Sequence, residues 1–165
     1  MKRFFTVLAF LAIAGMAAFA NSTSATMEVL ATLLPTVSVS TSNLDFGTWV
    51  IGQPTVLANA TVSVQATAGT NYAITMDAGQ HYANTFRNVV NSGFAVNYYI
   101  LDPTSSYEWS DLGYAGSYPF GGVVSNIGTG SPQSFTAHGY LLTSSASPAS
   151  PVGTYTDFVT VTVNY

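Results

Sequence analysis

The amino-acid sequence predicts an all-β fold, an immunoglobulin-like sandwich built from short strands. Apolar residues alternate with Thr and Asn toward the end of the chain, over residues 157–165, which is typical of a strand with one buried and one solvated face. Similar short segments recur along the chain, separated by clusters of Gly, Pro, Ser and Asn. The sequence shows no helical periodicity after its first twenty residues. Together these observations favour a two-sheet sandwich of roughly seven strands.

Most strands of this sandwich are predicted from a local alternation of apolar and polar residues, and residues 94–101 from their aromatic and β-branched content. Residues 60–67 and 72–76 flank an Ala-Gly-Thr-Asn turn and are predicted to form a hairpin. Gly47 is expected to mark a bulge or bend in a strand at 44–49. Residues 77–93 are predicted as a loop or irregular hairpin, and residues 113–132 as a glycine-rich loop. The remaining predicted strands cover residues 37–39, 94–101, 107–112 and 134–143.

Residues 1–20 have the features of a secretory signal peptide. Lys2 and Arg3 precede an apolar run over residues 4–14, and an Ala-Phe-Ala sequence ending at Ala20 provides a cleavage site. A transmembrane helix would need about 20 uninterrupted apolar residues, and this run is shorter. Cleavage would leave 165 − 20 = 145 residues, the size of one domain. We therefore expect secretion through the periplasm and an extracellular, cell-surface location.

The charge of the predicted mature chain excludes several classes of partner. Arg87 is its only strong cation against seven acidic residues, so its formal charge is 1 − 7 = −6. Nucleic acids and anionic membranes are bound through Lys and Arg, so neither is expected as a partner. The sequence contains no cysteine, which excludes a lipoprotein anchor and any disulfide. The fold must therefore be stabilised by β-sheet burial or by association with another chain.

The strand predicted at 157–165 would form an open edge of the sandwich. An unpaired edge leaves backbone hydrogen-bonding groups and a core face without cover. The N-terminal region offers a matching strand, because apolar side chains occupy every second position, at Ala25, Met27, Val29, Ala31 and Leu33. We predict that residues 21–35 form a donor-strand extension and residues 36–165 the sandwich domain. The acceptor groove is predicted to be lined by Val37, Val39, Val159, Val161, Val163 and Tyr165.

The apolar N-terminal segment can pair in two ways. It can enter a neighbouring subunit, where main-chain hydrogen bonds give affinity and alternate side chains fill pockets, or it can fold back as the first strand of its own domain. Pro35 and the polar residues before Met27 favour donation to a neighbour. Because each subunit then gives one strand and accepts another, the contact is head-to-tail and generates a filament.

Enzymatic chemistry finds little support in the residue types present. The two histidines, His81 and His138, belong to no catalytic or metal-binding motif, and no cofactor is predicted. Asp102, Glu108 and Asp111 are expected to be solvated loop carboxylates, because their spacing fits no EF-hand. An aromatic cluster within residues 98–120 is interpreted as core or inter-subunit packing, with stacking on sugars as the alternative.

Several segments of the chain resemble a spore coat protein U domain. The sequences Leu44-Asp-Phe-Gly-Thr-Trp49, Ala60-Thr-Val-Ser-Val64 and Gly69-Thr-Asn-Tyr-Ala-Ile-Thr-Met76 look like its opening. The segment Gly153-Thr-Tyr-Thr-Asp-Phe-Val-Thr-Val-Thr-Val163 is similar to its closing motif. The resemblance covers essentially the whole predicted mature chain. It departs where many members carry a disulfide, at positions that correspond here to Val37 and Ala66.

The family includes subunits of archaic, Csu-type chaperone–usher pili. The resemblance implies an incomplete immunoglobulin-like sandwich, completed by a donor strand from a neighbouring subunit. It also implies a periplasmic chaperone that holds each subunit and an outer-membrane usher that assembles them. We therefore expect a non-enzymatic, structural major subunit of a surface pilus of identical subunits, supporting adhesion and biofilm formation. A coat-type or carbohydrate-binding secreted surface protein of the same fold is the alternative.

Overall fold

The computed structural model describes residues 21–113 and 120–165, and the predicted signal peptide lies outside them. The described residues contain ten strands and no α-helix, which confirms the all-β prediction. Residues 34–165 form one compact unit. Its strands are β1 (Val37–Thr41), β2 (Val56–Ala66), β3 (Asn71–Met76), β4 (Arg87–Asn91), β5 (Phe94–Leu101), β6 (Glu108–Trp109), β7 (Phe120–Gly122), β8 (Val124–Ile127), β9 (Gln133–Leu141) and β10 (Val161–Asn164).

The described strands form two sheets. The larger sheet has the order β1-β2-β9-β5-β6-β7, with β4 also paired to β5. The smaller sheet has the order β10-β3-β8. Neighbouring strands are antiparallel except β6 and β7, which are parallel. A backbone bridge between Val90 and Thr156 connects β4 to the segment that precedes β10.

The inner faces of the two sheets bury one hydrophobic core. Alternate residues of β2, such as Val62 and Val64, point inward and are almost completely buried, as Ile74 is on β3. Each such side chain contributes about 1.5–3 kcal/mol through burial. Trp109 of β6 is also fully buried, and its indole Nε1 donates a hydrogen bond to the carbonyl oxygen of Ile74 at 2.9 Å. This bond ties the larger sheet to the smaller one through the core.

The predicted hairpin between residues 60–67 and 72–76 is wrong. β2 is paired with β1 on one side and β9 on the other, so neither edge of β2 is available to β3. The turn after β2 contains Gly69, whose φ of +83° suits glycine. It carries the chain from the larger sheet to the smaller one, where β3 pairs with β10 and β8.

Residues 44–49 form no strand, contrary to the prediction. Leu44, Phe46 and Trp49 are partly buried and pack against the core, while Gly47 between them has a φ of +65°. The Phe46 ring meets the Tyr98 ring edge-on, with 6.1 Å between the centroids. The alternation of this segment therefore reflects core packing of an irregular chain and not a ladder of hydrogen bonds.

Short strands replace part of the predicted loops. Residues 77–93 contain β4, and residues 113–132 contain β7 and β8. These strands have three to five residues, too few to show a clear alternation of apolar and polar side chains. They are defined instead by their pairing: β4 with β5, β7 with β6, and β8 with β3. The strand predicted over residues 157–165 is shorter than expected and covers only Val161–Asn164.

Candidate functional site

Two edge strands present apolar side chains to the core. Among the described strands, β1 pairs with β2 alone and β10 pairs with β3 alone. Four valines pack against the core cluster but are only partly buried. They are Val37 on β1, Val159 just before β10, and Val161 and Val163 on β10. Each of the two strands therefore has one side without a strand partner within residues 21–113 and 120–165, which is the geometry that strand addition requires.

Incomplete cover of the core is clearest at Val39. Val39 and Val64 lie directly opposite each other on β1 and β2, so their side chains share the inner face of the sheet. Val64 is completely buried, whereas Val39 is 43% exposed. On the other edge strand, Val163 is only partly buried although its register partner Ile74 is completely buried. A further strand over these valines would remove apolar surface from water.

Tyr165 differs from the other residues predicted to line the acceptor groove. It is 66% exposed and does not belong to the side chains packed on the core. It lines a shallow cavity of about 560 Å³ together with residues that include Asn71 and Ile127. The structure thus brings Val37, Val159, Val161 and Val163 to the core and leaves Val39 and Tyr165 more exposed.

The carboxylate of Asp77 fixes the start of β10. Its Oδ1 accepts hydrogen bonds from the backbone N–H groups of Thr160 and Gly79, each at 2.9 Å. Burial alone would raise the pKa of Asp77, but the hydrogen bonds from Thr160 and Gly79 and the charge of Arg87 together outweigh it. The pKa of Asp77 therefore lies below its ordinary value of 3.8.

A second carboxylate, Asp157, holds the segment before β10. Its Oδ2 accepts a hydrogen bond from the Tyr98 hydroxyl at 2.6 Å, and its Oδ1 accepts one from the His81 backbone N–H at 3.1 Å. The imidazole Nδ1 of His81 also lies 3.0 Å from Oδ1. Sequence reasoning missed both Asp77 and Asp157, because their partners lie as many as 83 positions away and no motif marks them.

The predicted donor residues lie in a segment without regular structure. Residues 21–36 form no strand, and every side chain from residue 21 to residue 36 is exposed, including Ala25 and Ala31. Met27 is 83% exposed, and Val29 and Leu33 are each 84% exposed. A period-two row of large apolar side chains is therefore exposed. Their role as a donor strand stays a prediction.

The family model for the Spore Coat Protein U domain matches residues 23–162. The chain belongs to this family. The match begins within the predicted donor extension, covers β1 to β9, and ends within β10. No curated protein gives a significant match to the chain.

This Spore Coat Protein U domain is also similar to a solved structure. A chain in the crystal structure of the CsuC–CsuE chaperone–tip adhesion subunit pre-assembly complex, from archaic chaperone–usher Csu pili of Acinetobacter baumannii, superposes with a TM-score of 0.58. The two chains are 20% identical, and the alignment covers 81% of this chain and 40% of the other. This chain therefore spans less than half the length of the chain that it matches. The likeness confirms the predicted immunoglobulin-like fold.

The domain pairs Val37 with Ala66 across β1 and β2. The backbone N–H of Thr67 donates to the carbonyl oxygen of Thr36 at 3.0 Å in the neighbouring row, which makes Val37 and Ala66 a non-hydrogen-bonded pair. Ala66 is buried and Val37 is partly buried. The resemblance placed a family disulfide at these two positions, and here two small apolar side chains occupy them.

Asp102, Glu108 and Asp111, whose spacing was compared with a calcium-binding loop, differ in their exposure to solvent. The expectation that Glu108 is solvated is wrong, because it is completely buried and its Oε1 accepts a hydrogen bond from Arg87 Nη1 at 3.0 Å. Asp102 is also buried, and the Thr104 hydroxyl donates to its Oδ1 at 2.8 Å. Of the three predicted loop carboxylates, only Asp111 is exposed.

The remaining candidates for chemistry do not assemble into a centre. No group of three His, Cys, Asp or Glu side chains in the described residues could hold a metal ion. His138 lies on β9, with its Nδ1 2.9 Å from the amide oxygen of Asn59.

Membership of the Spore Coat Protein U domain family places the chain among structural proteins and not enzymes. In the part of the chain that the structure describes, no helix could cross a membrane.

The aromatic residues within 98–120 have several different environments. Tyr98 and Trp109 are core residues, which agrees with the packing interpretation. Tyr107 is half exposed, and Tyr99 lies on the outer face of the larger sheet. Tyr114 and Tyr118 lie outside the described residues.

Proposed function

We propose that this protein is the structural major subunit of a surface pilus, assembled by the chaperone–usher route through donor-strand exchange. In this proposal, residues 21–35 of one subunit add a strand to the open edge of the sandwich in the next subunit. The observation that carries the proposal is that one chain contains both an exposed apolar strand pattern and edge strands with an incompletely covered core. Adhesion and biofilm formation would be its biological use.

The acceptor side rests on the edge strands β1 and β10. Their valines face a shared core but keep exposed apolar surface, as the 43% exposure of Val39 shows. Asp77 and Asp157 anchor β10 and the segment before it through hydrogen bonds to the loop after β3. A firmly anchored edge strand offers a fixed row of backbone groups. Only the incoming strand then loses conformational entropy on binding.

The donor side rests on the alternation in residues 25–33. Met27, Val29 and Leu33 share one face of an extended strand, and each would contribute about 1.5–3 kcal/mol on burial. Ala31 on the same face is small and would fit where the groove is shallow. The opposite face carries Thr26, Glu28 and Thr32 together with Leu30, so it is the more polar of the two faces.

Chain geometry supports an internal position in a fibre. A subunit that carries a donor segment at one end and an open edge elsewhere uses two different surfaces for its two neighbours. Such heterologous contacts do not close and therefore extend into a filament of identical subunits. A subunit with both surfaces can be added repeatedly, as the shaft of a pilus requires.

The proposed partners before assembly are a periplasmic chaperone and an outer-membrane usher. An uncovered apolar edge exposes the subunit to aggregation during export, so a partner that supplies a temporary strand would protect it. The similarity to a structure solved as a chaperone–subunit complex supports this step. We accordingly propose transit through the periplasm and a final location at the cell surface.

The proposal is tested by placing charge on either face of the donor segment. Val29→Asp is expected to abolish SDS-resistant polymers of the secreted protein, because a carboxylate would be buried in the groove. Leu30→Asp is the matched control, since Leu30 lies on the opposite face of the same strand. Equal loss of polymer in both variants would contradict insertion of the predicted face.

A rearranged chain provides a second test. Residues 21–35 are deleted from the N-terminus and attached after Tyr165 through a flexible linker long enough to reach the open edge. This variant is expected to be monomeric and more stable than the chain that only lacks residues 21–35. If deletion of residues 21–35 leaves polymerisation unchanged, strand donation by this segment is wrong.

A further inference from the structure

The predicted donor strand is joined to the sandwich by a very short linker. Leu33 is the last residue of the apolar alternation, and only Leu34 and Pro35 separate it from Thr36. Thr36 is fixed to the sandwich, because its carbonyl oxygen accepts a hydrogen bond from the Thr67 N–H at 3.0 Å and its own N–H donates to the Thr67 hydroxyl at 2.9 Å. Three residues span about 11 Å when fully extended, so Leu33 can lie no farther than that from Thr36.

Thr36 lies at one end of the sandwich, beside two turns that are hydrogen-bonded to each other. The Gly69 N–H, in the turn between β2 and β3, donates to the Gly128 carbonyl oxygen at 2.9 Å, just after β8. We call Thr36, residues 67–70 and residues 128–130 the linker end. None of these residues carries a charge.

The opposite end of the sandwich exposes apolar side chains. It is formed by the loop before β2 and the loop after β9, and the Thr143 hydroxyl joins them by donating a hydrogen bond to the Gln53 carbonyl oxygen. Val50 is 63% exposed, Ile51 is also exposed, and Val152 is fully exposed. We call this region, residues 49–55 and 142–153, the loop end. It also contains no charged residue.

The position of the linker sets the direction in which a donor strand crosses its neighbour. The extension of each subunit leaves from the linker end, so that end faces the subunit that accepts it. An incoming extension must therefore leave the groove at the loop end, because two neighbours cannot occupy the same end of one subunit. β10 runs toward the linker end, since Asn164 pairs with Ala73 near the turn at residues 67–70. The incoming strand is thus antiparallel to β10.

We propose that the linker end of each subunit docks directly on the loop end of the subunit that accepts its donor strand. This inference rests on the proposed donor-strand exchange and adds a second contact between the same two copies of the chain. Leu33 in the groove would lie about 5 Å from a flanking strand and no more than about 11 Å from Thr36, which leaves no room for a gap between the domains. Pro35 has a fixed φ and keeps Leu34 extended, so the linker restricts the orientation of the domains.

Charge and apolar surface both favour this pair of ends. After residue 20 each copy has a formal charge of 1 − 7 = −6, so two copies repel each other. The repulsion is least where neither surface carries a charge, as at the linker end and the loop end. Leu34 is 73% exposed and has the opposite parity to Leu33, so the groove would not cover it. Contact with Val50 and Ile51 of the accepting copy would remove it from water.

Cross-linking tests this contact, because the chain has no cysteine of its own. Ala68→Cys at the linker end and Ile51→Cys at the loop end are combined in the full chain, and the secreted polymer is treated with a short bismaleimide. A ladder of covalent oligomers should then persist after boiling in SDS. The matched control is Thr136→Cys/Ile51→Cys, whose first thiol lies on the exposed face of β9, and it should give monomers after boiling.

A longer linker provides the second measurement. Insertion of Gly-Ser-Gly-Ser between Pro35 and Thr36 of the Ala68→Cys/Ile51→Cys variant should leave polymer formation intact. It should remove most of the covalent ladder, because a longer flexible linker lowers the effective concentration of one end at the other. Thermal melting of each variant establishes that it is folded before cross-linking is compared.

Failure of this inference is distinguishable from failure of the proposed function. Polymers of Ala68→Cys/Ile51→Cys that give only monomers after treatment and boiling would overturn the contact and leave strand exchange standing. A ladder of equal strength in the Thr136→Cys/Ile51→Cys control, or in the variant with the longer linker, would also overturn it. Absence of polymers from the unchanged protein would overturn both proposals.

Discussion

Arg87 and Glu108 form an ion pair in which both side chains are completely buried, with 3.0 Å between Nη1 and Oε1. The guanidinium also donates to the carbonyl oxygens of Asp77, at 2.6 Å from Nη2, and Trp109, at 2.8 Å. The pair therefore connects β4 with β6 and with the end of β3. The only cation after residue 20 is thus used inside the fold and not on its surface.

Replacing one partner of this pair is expected to be more harmful than replacing both. Arg87→Met should lower the free energy of unfolding by about 3–5 kcal/mol, because the Glu108 carboxylate stays buried without its cation. The double variant Arg87→Met/Glu108→Leu should recover part of that loss. Urea unfolding followed by tryptophan fluorescence measures each variant. Strictly additive losses from the two single variants would show that the charges are not coupled.

Asp77 makes stability depend on pH at the start of β10. The pKa of Asp77 in the folded protein lies below its ordinary value of 3.8. The stability that the ionised carboxylate contributes is therefore fully present at pH values above that ordinary pKa. The contribution is lost as the pH falls through the lower, folded pKa. Asp77→Asn should destabilise the protein at neutral pH and flatten the decline in melting temperature below pH about 4. Asp111→Asn, at an exposed carboxylate, is the control and should leave that decline unchanged.

Gly139 is required for the close approach of residues 44–49 to the core. A Cβ at this position would lie 2.7 and 2.8 Å from the two methyl carbons of Leu44 and 3.0 Å from the ring of Phe46. Gly139→Ala is therefore expected to cost about 1–3 kcal/mol.

Trypsin provides a direct measurement of this effect. Arg87 is the only tryptic site after residue 20 and is completely buried, so cleavage there requires the fold to open. Gly139→Ala should accelerate cleavage by about tenfold or more, whereas Thr136→Ala on the exposed face of the same strand should not. An unchanged cleavage rate in Gly139→Ala would contradict the packing argument.

The register of β1 and β2 predicts that a disulfide can be introduced between them. Val37 and Ala66 form a non-hydrogen-bonded pair, whose Cα atoms are typically about 4.5 Å apart, within the range that disulfides span. Val37→Cys/Ala66→Cys should therefore oxidise fully and raise the free energy of unfolding by about 3–4 kcal/mol. Thiol titration and urea unfolding with and without reductant measure this. Ser38→Cys/Gln65→Cys, the next pair in the register, is the control. Free thiols remaining in the Val37→Cys/Ala66→Cys variant would contradict the register.

Alternation of apolar and polar residues, together with aromatic and β-branched content, predicted most of the core strands. The predicted strands at residues 60–67, 72–76, 94–101 and 134–143 correspond to β2, β3, β5 and β9. These strands have six to eleven residues, and the side chains on their inner faces, such as Val64 and Val96, are almost completely buried. Long strands with one buried face must alternate, so their pattern is local and readable.

Alternation was misleading where the chain packs on the core without a ladder. Leu44 and Phe46 have strand-like spacing and Trp49 follows three positions later, yet all three partly bury their side chains from an irregular segment with a left-handed turn at Gly47. Glu108 was misjudged for a related reason. An acidic residue has no local signal for burial when its counterion lies 21 positions away in the chain.

The sequence by itself determined the all-β class, the family, the long core strands and the apolar alternation of residues 25–33, because each depends on residue types at short spacing. Only the tertiary structure decided which strands became edges, which carboxylates were buried and which tyrosines came together on the outer face of the larger sheet. These features arise from contacts between residues far apart in the chain, such as Asp77 with Thr160 and Tyr99 with Tyr140. Their geometry is set by the pairing of strands and not by any local pattern.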